Sequence, residues 1–370
     1  MGKLSDYTGI LDMNNYFIIP LLLICLKGCA PEDELNLPNV EEIVIEDASV
    51  LVSPEMKPEI GAVGAVKAVS AGFLVFDYGL FAMHKFDAMW NHQFSFGANG
   101  SGPGEFRSVY NFWEAENSYM IYDFEGAKLA IFGQEGNWID DILIESDGFR
   151  LHRPVRIEAV NINKFIIPVF GEQGSLFTMV NISTDSIRYL GESIADYVPH
   201  FGPEQHRQAV LSGQIPPPEK NRVILSADSS GIYCFQQTTA ILEKYSLDGD
   251  RMWERSLAIP VLENLFDYIL KENIRLLQDG RPASKNFVYA SDMHSGKNGV
   301  GLLLNLNILE EQPATVLWVA DDNDTIFMVR YPAINVKPNQ RLEFTISKDQ
   351  NQILFTDALE GVVYEAEWPF

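Results

Sequence analysis

An all-β fold, a six-bladed β-propeller of four-stranded antiparallel blades with an N-terminal strand closing the last blade, is predicted by three features of this chain. One apolar motif returns six times. Further strands and turns are attached to each copy. The units recur at a spacing of roughly 40–50 residues, the period of propeller repeats. The motif is a short apolar run: Gly72–Asp77 (GFLVFD), Ser118–Asp123 (SYMIYD), Lys164–Val169 (KFIIPV), Gly231–Gln236 (GIYCFQ), Val300–Asn305 (VGLLLN) and Gln352–Asp357 (QILFTD). Runs of this length, bounded by turn residues, suit strands packed on both faces.

A strand precedes each run: Val66–Val69, Tyr110–Ala115, Val155–Val160, Val223–Ala227, Phe287–Ser291 and Leu342–Ile346. Hairpins follow. Leu80–Phe86 turns at Asp87-Ala88 into Trp90–Phe96, Lys128–Phe132 turns at Gln134–Asn137 into Trp138–Ile144, and Ile241–Leu247 turns at Asp248-Gly249-Asp250 into Trp253–Ile259. Asp-Gly marks a tight hairpin because both central residues of such a turn adopt positive φ. Trp90, Trp138 and Trp253 recur just past the turns and read as packing between neighbouring sheets. A four-stranded unit cannot bury both faces alone, so the six units close into a ring. The chain ends after a third strand, Gly361–Trp368, and Glu42–Ile45 is the candidate for the missing fourth. Joining the termini would remove two exposed edges. A β-sandwich with appendages is the competing architecture, and the sixfold recurrence argues against it. The domain organisation is then a signal over residues 1–28, an acidic tether over 29–41 and the propeller over 42–370.

The loop Phe96–Phe106, FGANGSGPGEF, resembles the F-G-x-x-G-x-G-P-G-E-F loop of NHL- and TolB-like propellers and of six-bladed propeller lipoproteins of Bacteroidetes type, and Phe132–Gly136 is a weaker echo. The resemblance implies a six-bladed fold and a cell-envelope setting, and it implies no single activity. In such a loop the glycines permit a turn that Cβ atoms would block, and Phe106 plugs the next sheet. A phosphate cradle would need a following helix and a Lys-Ser/Thr pair, which are absent.

The N-terminus supplies an address. Tyr16–Leu26 (YFIIPLLLICL) is too short for a membrane span of about 20 residues and suits the apolar region of a secretory signal. Leu26-Lys27-Gly28-Cys29 matches a lipoprotein cleavage site with Cys29 as the lipidated residue; Lys27 departs from the usual small or apolar residue there. Met13 is an alternative start to Met1. The tract Ala30-Pro31-Glu32-Asp33-Glu34 resembles the signal that sends Bacteroidetes lipoproteins to the outer face of the outer membrane. Of three cysteines, Cys25 leaves with the signal and Cys29 takes the lipid, so Cys234 alone remains and no internal disulfide forms. In Ile232-Tyr233-Cys234-Phe235 it reads as a buried structural thiol.

The net charge of −24, from 51 acids and 27 bases, repels phosphate backbones and excludes general nucleic-acid binding. The same charge repels anionic headgroups, which leaves the lipid as the membrane contact. Two insertions, 194–221 with His200 and His206, and 261–285 with an amphipathic helix over Glu263–Gln278, fall between units on one face. Long loops of this kind are often functional; as caps they would shield the channel mouth. Asp77, Asp123 and Asp357 end the second strands and would ring that mouth, so with His200 and His206 they are the candidate ligand-binding residues. Three converging carboxylates could hold Ca2+, or each could cap its own turn through backbone N–H groups. Asp321-Asp322-Asn323-Asp324 lacks the Gly and distal Glu of an EF-hand loop and reads as a hairpin turn. No H-E-x-x-H, G-x-S-x-G or Ser/His/Asp spacing is present, so no catalytic residue or cofactor is assigned. Two functions remain: a binding or scaffold propeller of the envelope, taking a glycan, a peptide or a protein, and a metal-dependent propeller hydrolase or lyase working at the capped mouth. Cys29→Ala is expected to abolish labelling by a radiolabelled fatty acid and to move the protein from the membrane pellet to the soluble fraction.

Overall fold

A computed structural model describes residues 39–370, except 54, 58–59, 145–155, 199–200, 284–285, 309, 323–324, 339 and 350; Cys29 and His200 therefore lie outside the described residues. Six antiparallel sheets form, one per sequence unit. Blade one holds Val63–Val69, Gly72–Asp77, Ala82–Phe86 and His92–Phe96. Blade two holds Val109–Ala115, Ser118–Asp123, Lys128–Gly133 and Trp138–Leu143. Blade three holds Glu158–Asn161, Lys164–Pro168, Ser175–Asn181 and Ser186–Glu192. Blade four holds Val223–Asp228, Gly231–Gln236, Ile241–Tyr245 and Arg251–Ser256. Blade five holds Ala290–Gly296, Gly299–Leu304, Gln312–Ala320 and Ile326–Val336. Leu342–Ile346, Gln352–Asp357 and Val362–Glu367 make three strands of blade six.

The first strand of each blade touches that of the next all the way round, blade six returning to blade one. This cyclic contact is the direct sign of a closed ring. The second strands, the apolar runs of the sequence, carry the hydrophobic contacts between blades: Leu74, Ile121, Ile166, Leu302 and Leu354 are fully buried. Cys234 belongs to this layer as an unpaired buried thiol. Burial, with help from nearby Glu243, pushes its pKa up, which disfavours the reactive thiolate.

The N-terminal segment closes the ring, as the sequence predicts, but through a different strand. Ala48–Val52 pairs antiparallel with Val362–Glu367, placing Val52 opposite Val363. Glu42–Ile45 instead belongs with Val40–Val44, which adds a fifth, parallel strand to the outer edge of blade five, Val40 opposite Ile326 and Val44 opposite Arg330. Packing decides between the two candidates. Val52 and Val363 are both fully buried in the core between blades one and six, whereas Val44 stays exposed. A second boundary also moves: the first strand of blade five is Ala290–Gly296, not Phe287–Ser291, and Phe287 and Tyr289 pack under a helix instead.

The outer hairpins share one geometry. The amides of Asp87, Gly133 and Ser246 donate to the carbonyls of Asn91, Asn137 and Asp250. A single residue of positive φ, Trp90, Gly136 or Gly249, precedes each fourth strand, and a bulge follows in the register of each pair. Asp248 does not adopt positive φ, so this is a longer turn with a bulge rather than the two-residue turn the Asp-Gly pair predicts. At Trp90 the left-handed backbone is offset by packing: its ring stacks on Phe73 at 4.4 Å and joins the core between blades one and six. Of the other two tryptophans, Trp253 packs against the core shared by blades four and five, as expected, and Trp138 does not. Trp138 is 44% exposed and leans on Gly104, while Trp253 meets Tyr233 edge-on and lies under the Arg255 guanidinium.

The glycine-rich loop is structural. Gly97 has φ +76°, and a Cβ there would sit 2.3 Å from the Phe106 ring. Phe106 is fully buried against Phe76 and Phe81, and the Gly102 amide donates to Glu105 at 2.7 Å. Chains beginning at residue 47 and at residue 54 separate the two N-terminal strands: the first is expected to unfold cooperatively with a modestly lowered Tm, and the second to lose cooperative melting by circular dichroism.

Candidate functional site: a divided central channel

Antiparallel pairing gives the ring two faces. First strands start on a crossover face, with the inter-blade connections, and end on a hairpin face, with the first-to-second-strand turns. The first strands also carry the polar and charged side chains that the core rejects: Lys67 in blade one, Asn111 in two, Glu158 in three, Ser226 in four, Asp292 and His294 in five, and Glu343 in six.

One hydrogen-bonded chain of these groups crosses the ring. Asn111 Nδ2 donates to Glu158 Oε1 at 2.9 Å. Arg156 Nε donates to the same oxygen at 2.8 Å, and Arg156 Nη1 donates to Asp292 Oδ1. Asp292 Oδ2 accepts the Phe344 amide at 2.8 Å, and its Oδ1 accepts the Met293 amide at 2.8 Å. Arg156 thus reaches past blade four and ties blade three to blade five, with blades two and six attached at the ends. Removing one partner of a buried pair of this kind costs about 3–5 kcal/mol, because the other charge is left uncompensated. Burial opposes the Arg156 charge, but Asp292, Glu158 and Glu343 outweigh it and raise its pKa above the ordinary value. Glu343 is shifted the same way with the opposite effect on charge: desolvation first and Asp292 second raise its pKa and disfavour the carboxylate. Lys67, desolvated and facing Arg156, has its pKa lowered.

Arg156 and Glu158 divide the channel into two cups. The cup on the hairpin face has a volume of about 700 Å3, and all six blades line it. Lys67, Lys297 and Lys348 face Glu114, Glu158 and Asp228 around it, with serine and asparagine side chains between. Glu114 accepts the amide and hydroxyl of Ser70 at 2.7 and 2.6 Å, and Ser226 Oγ donates to Ser295 Oγ at 3.1 Å. Such a lining can hold a polar ligand by hydrogen bonds and by charge contacts of either sign. The cup on the crossover face, about 390 Å3, is lined by blades three to six.

The described residues singled out from sequence lie elsewhere. Asp77 is fully buried and accepts the amides of Gly61, Ala62 and Leu80 at 2.5, 3.0 and 2.9 Å. Burial opposes its charge, yet these N–H donors, with His84, lower its pKa. Asp123 Oδ1 accepts the Ser108 amide at 2.9 Å, while its Oδ2 has no donor. Asp357 accepts the amides of Leu359 and Glu360 at 3.0 and 3.1 Å and the side chain of Gln340. Each carboxylate is engaged by the turn at the crossover end of its own blade, and none lines either cup. Among the described residues no three His, Cys, Asp or Glu side chains converge so as to hold a metal ion. His206 sits half-buried on the helix Pro203–Leu211. That helix packs on the longer one, Pro260–Gln278, which buries Leu262, Leu265, Ile269 and Leu277 over blades four and five. Neither helix contributes a described residue to the channel cups. Asp321 ties neighbouring blades, accepting Lys244 Nζ at 2.6 Å and the Tyr233 hydroxyl at 2.9 Å.

The channel residues are not among the sequence candidates, although the sequence carries a signal for them. Lys67, Glu158, Asp292, His294 and Glu343 interrupt otherwise strand-like segments, and an ionisable side chain in the innermost strand of a propeller has only the channel to face.

No protein-family model matches this chain, and no curated protein is similar to it in sequence. Among solved structures it is similar to a putative exported protein from Bacteroides fragilis (10% identity, 90% of this chain and 100% of the other, TM-score 0.49). It is also similar to a member of the DUF4221 family from Bacteroides vulgatus (9% identity, 90% and 94%, TM-score 0.48). A third is virginiamycin B lyase from Staphylococcus aureus (7% identity, 82% and 80%, TM-score 0.42). The propeller assignment rests on the sheet order and the cyclic strand contacts. Among the described residues no helix is long and apolar enough to cross a membrane.

His294 provides a pH test of the channel. Desolvation lowers its pKa well below 6.5, and Lys67, Arg156 and Lys348 add to the effect. As pH falls through about 6.5 the unfolded chain takes up a proton that the folded chain refuses, so stability is lost. The Tm is expected to drop between about pH 7.5 and pH 5.5, and to drop less in His294→Asn.

Proposed function

We propose that this chain is a lipid-anchored protein of the bacterial outer membrane whose propeller is a binding module. Cys29 would carry the lipid, and the six-bladed channel would present its hairpin-face cup to a glycan, a peptide or a protein segment. The observation that carries the binding reading is the convergence of all six blades on one cup of about 700 Å3. Its size falls within the range of small-molecule and chain-end sites, about 300–1,000 Å3. Its lining mixes ammonium, carboxylate, hydroxyl and amide groups, which orient a polar ligand and need no metal. The envelope setting is supported by Leu26-Lys27-Gly28-Cys29 and the acidic residues that follow. Binding of the full chain to arrayed oligosaccharides and peptides tests the reading. Lys297 and Lys348 lie on the exposed rim, where replacement leaves the core intact. A ligand whose signal falls at least tenfold in Lys297→Ser/Lys348→Ser is the expected result. A ligand bound equally by the variant would place recognition away from this cup.

A further inference from the structure

The second cup, on the crossover face, differs in kind from the first. Three arginines line its wall, Arg156, Arg222 and Arg341, and no Asp or Glu is among the described residues that line it. In a chain of net charge −24 this is a local inversion of sign. The three sit at related places, just before or at the start of the first strands of blades three, four and six. Arg156 is fixed by Glu158 and Asp292 through Nε and Nη1, and Arg222 by Glu219 through Nη2 at 3.0 Å. A guanidinium has five N–H donors, so both keep donors free while their positions are held. Arg341 is exposed and forms no hydrogen bond or ion pair among the described residues. The Asn305 side-chain amide, in the same wall, is likewise unengaged, and Phe170 supplies an apolar surface beside them.

The absence of a carboxylate here follows from the blade pattern. Blades one, two and six end their second strands with Asp77, Asp123 and Asp357, each turned into backbone amides. At the same position blades three, four and five carry Val169, Gln236 and Asn305. Neutral side chains take over the bracing of these joints: Asn221 accepts the amides of Ile194 and Ala195 at 2.8 and 3.0 Å, and Gln237 those of Tyr289 and Ala290 at 2.8 and 3.0 Å. Of the four blades that line the arginine cup, three lack this aspartate, and Asp357 of the fourth is engaged by its own turn and by Gln340.

We propose that this cup binds a small ligand carrying a carboxylate or sulfate group, with Arg341 as the free charge that captures it and Arg156 and Arg222 as pre-positioned donors. Guanidinium groups match planar and tetrahedral oxyanions through paired N–H bonds, and a wall free of carboxylates avoids repelling them. The site goes beyond the polar cup on the other face and does not depend on it.

Calorimetric titration of the full chain with galacturonate, galactose 6-sulfate and galactose tests the proposal and separates the two anion sources. One or both acidic sugars should bind at least tenfold more tightly than galactose, with affinity falling as salt is raised. Arg341→Gln, at an exposed and unpaired position, should keep the wild-type Tm and weaken acidic-sugar binding at least tenfold. The Lys297→Ser/Lys348→Ser variant should bind them as the wild type does. Equal affinity for the acidic and neutral sugars, or unchanged binding by Arg341→Gln, would overturn the assignment.

Discussion

Ring closure is the constraint on which the rest of this molecule depends. Each blade is apolar on both faces in its second strand, and a lone sheet of that kind would leave Leu74, Ile121, Ile166, Leu302 or Leu354 against water. Only a neighbour on each side buries them, and only a ring supplies a neighbour to every blade. Blade six is completed by Ala48–Val52, so an N-terminal strand and a C-terminal one share a single sheet. Once the ring is shut, the axis accommodates a group of ionisable side chains, and the first strands deliver most of them there.

The axis is accordingly polar, and its charges are organised rather than merely tolerated. Arg156 spans from Glu158 to Asp292, and the amide of Phe344 and the side chain of Asn111 complete the two carboxylates. The pairing keeps Arg156 charged in a desolvated place and leaves Glu343 and Lys67 with weakened charge. The same side chains partition the space. One cup receives both signs of charge from all six blades, and the other receives only guanidinium groups, from blades three, four and six.

Much of this architecture is legible in the sequence because the second strands are almost uniformly apolar. Ser118–Asp123 or Gly231–Gln236 can be little else but strands buried on both sides, and five of the six second-strand starts match the residue at which the run begins. Legibility fails where a strand faces polar surroundings or where two segments have equal propensity. Ala290–Gly296 reads Ala-Ser-Asp-Met-His-Ser-Gly, a turn-like composition that is a strand because Asp292 meets Arg156 and the Phe344 amide. Glu42–Ile45 and Ala48–Val52 are both short and β-branched, and only the fit of Val52 opposite Val363 separates them. The candidate site fared worse. Asp77, Asp123 and Asp357 stand out by recurring, and their recurrence reflects a repeated turn geometry. The arginines that differ from blade to blade become visible as a group only when the ring sets blades three to six around one mouth.

The parallel strand Val40–Val44 has a mechanical consequence. Among the described residues it is the first pairing along the chain, ahead of the strand that seals the ring, and the Asn39 carbonyl accepts the amide of Ile326 at the hairpin-face end of blade five. Tension drawn from that end along the axis loads five register pairs in shear before any force reaches Ala48–Val52. If Cys29 carries the lipid proposed for it, tension on the tether would meet this outer seam before the strand that seals the ring.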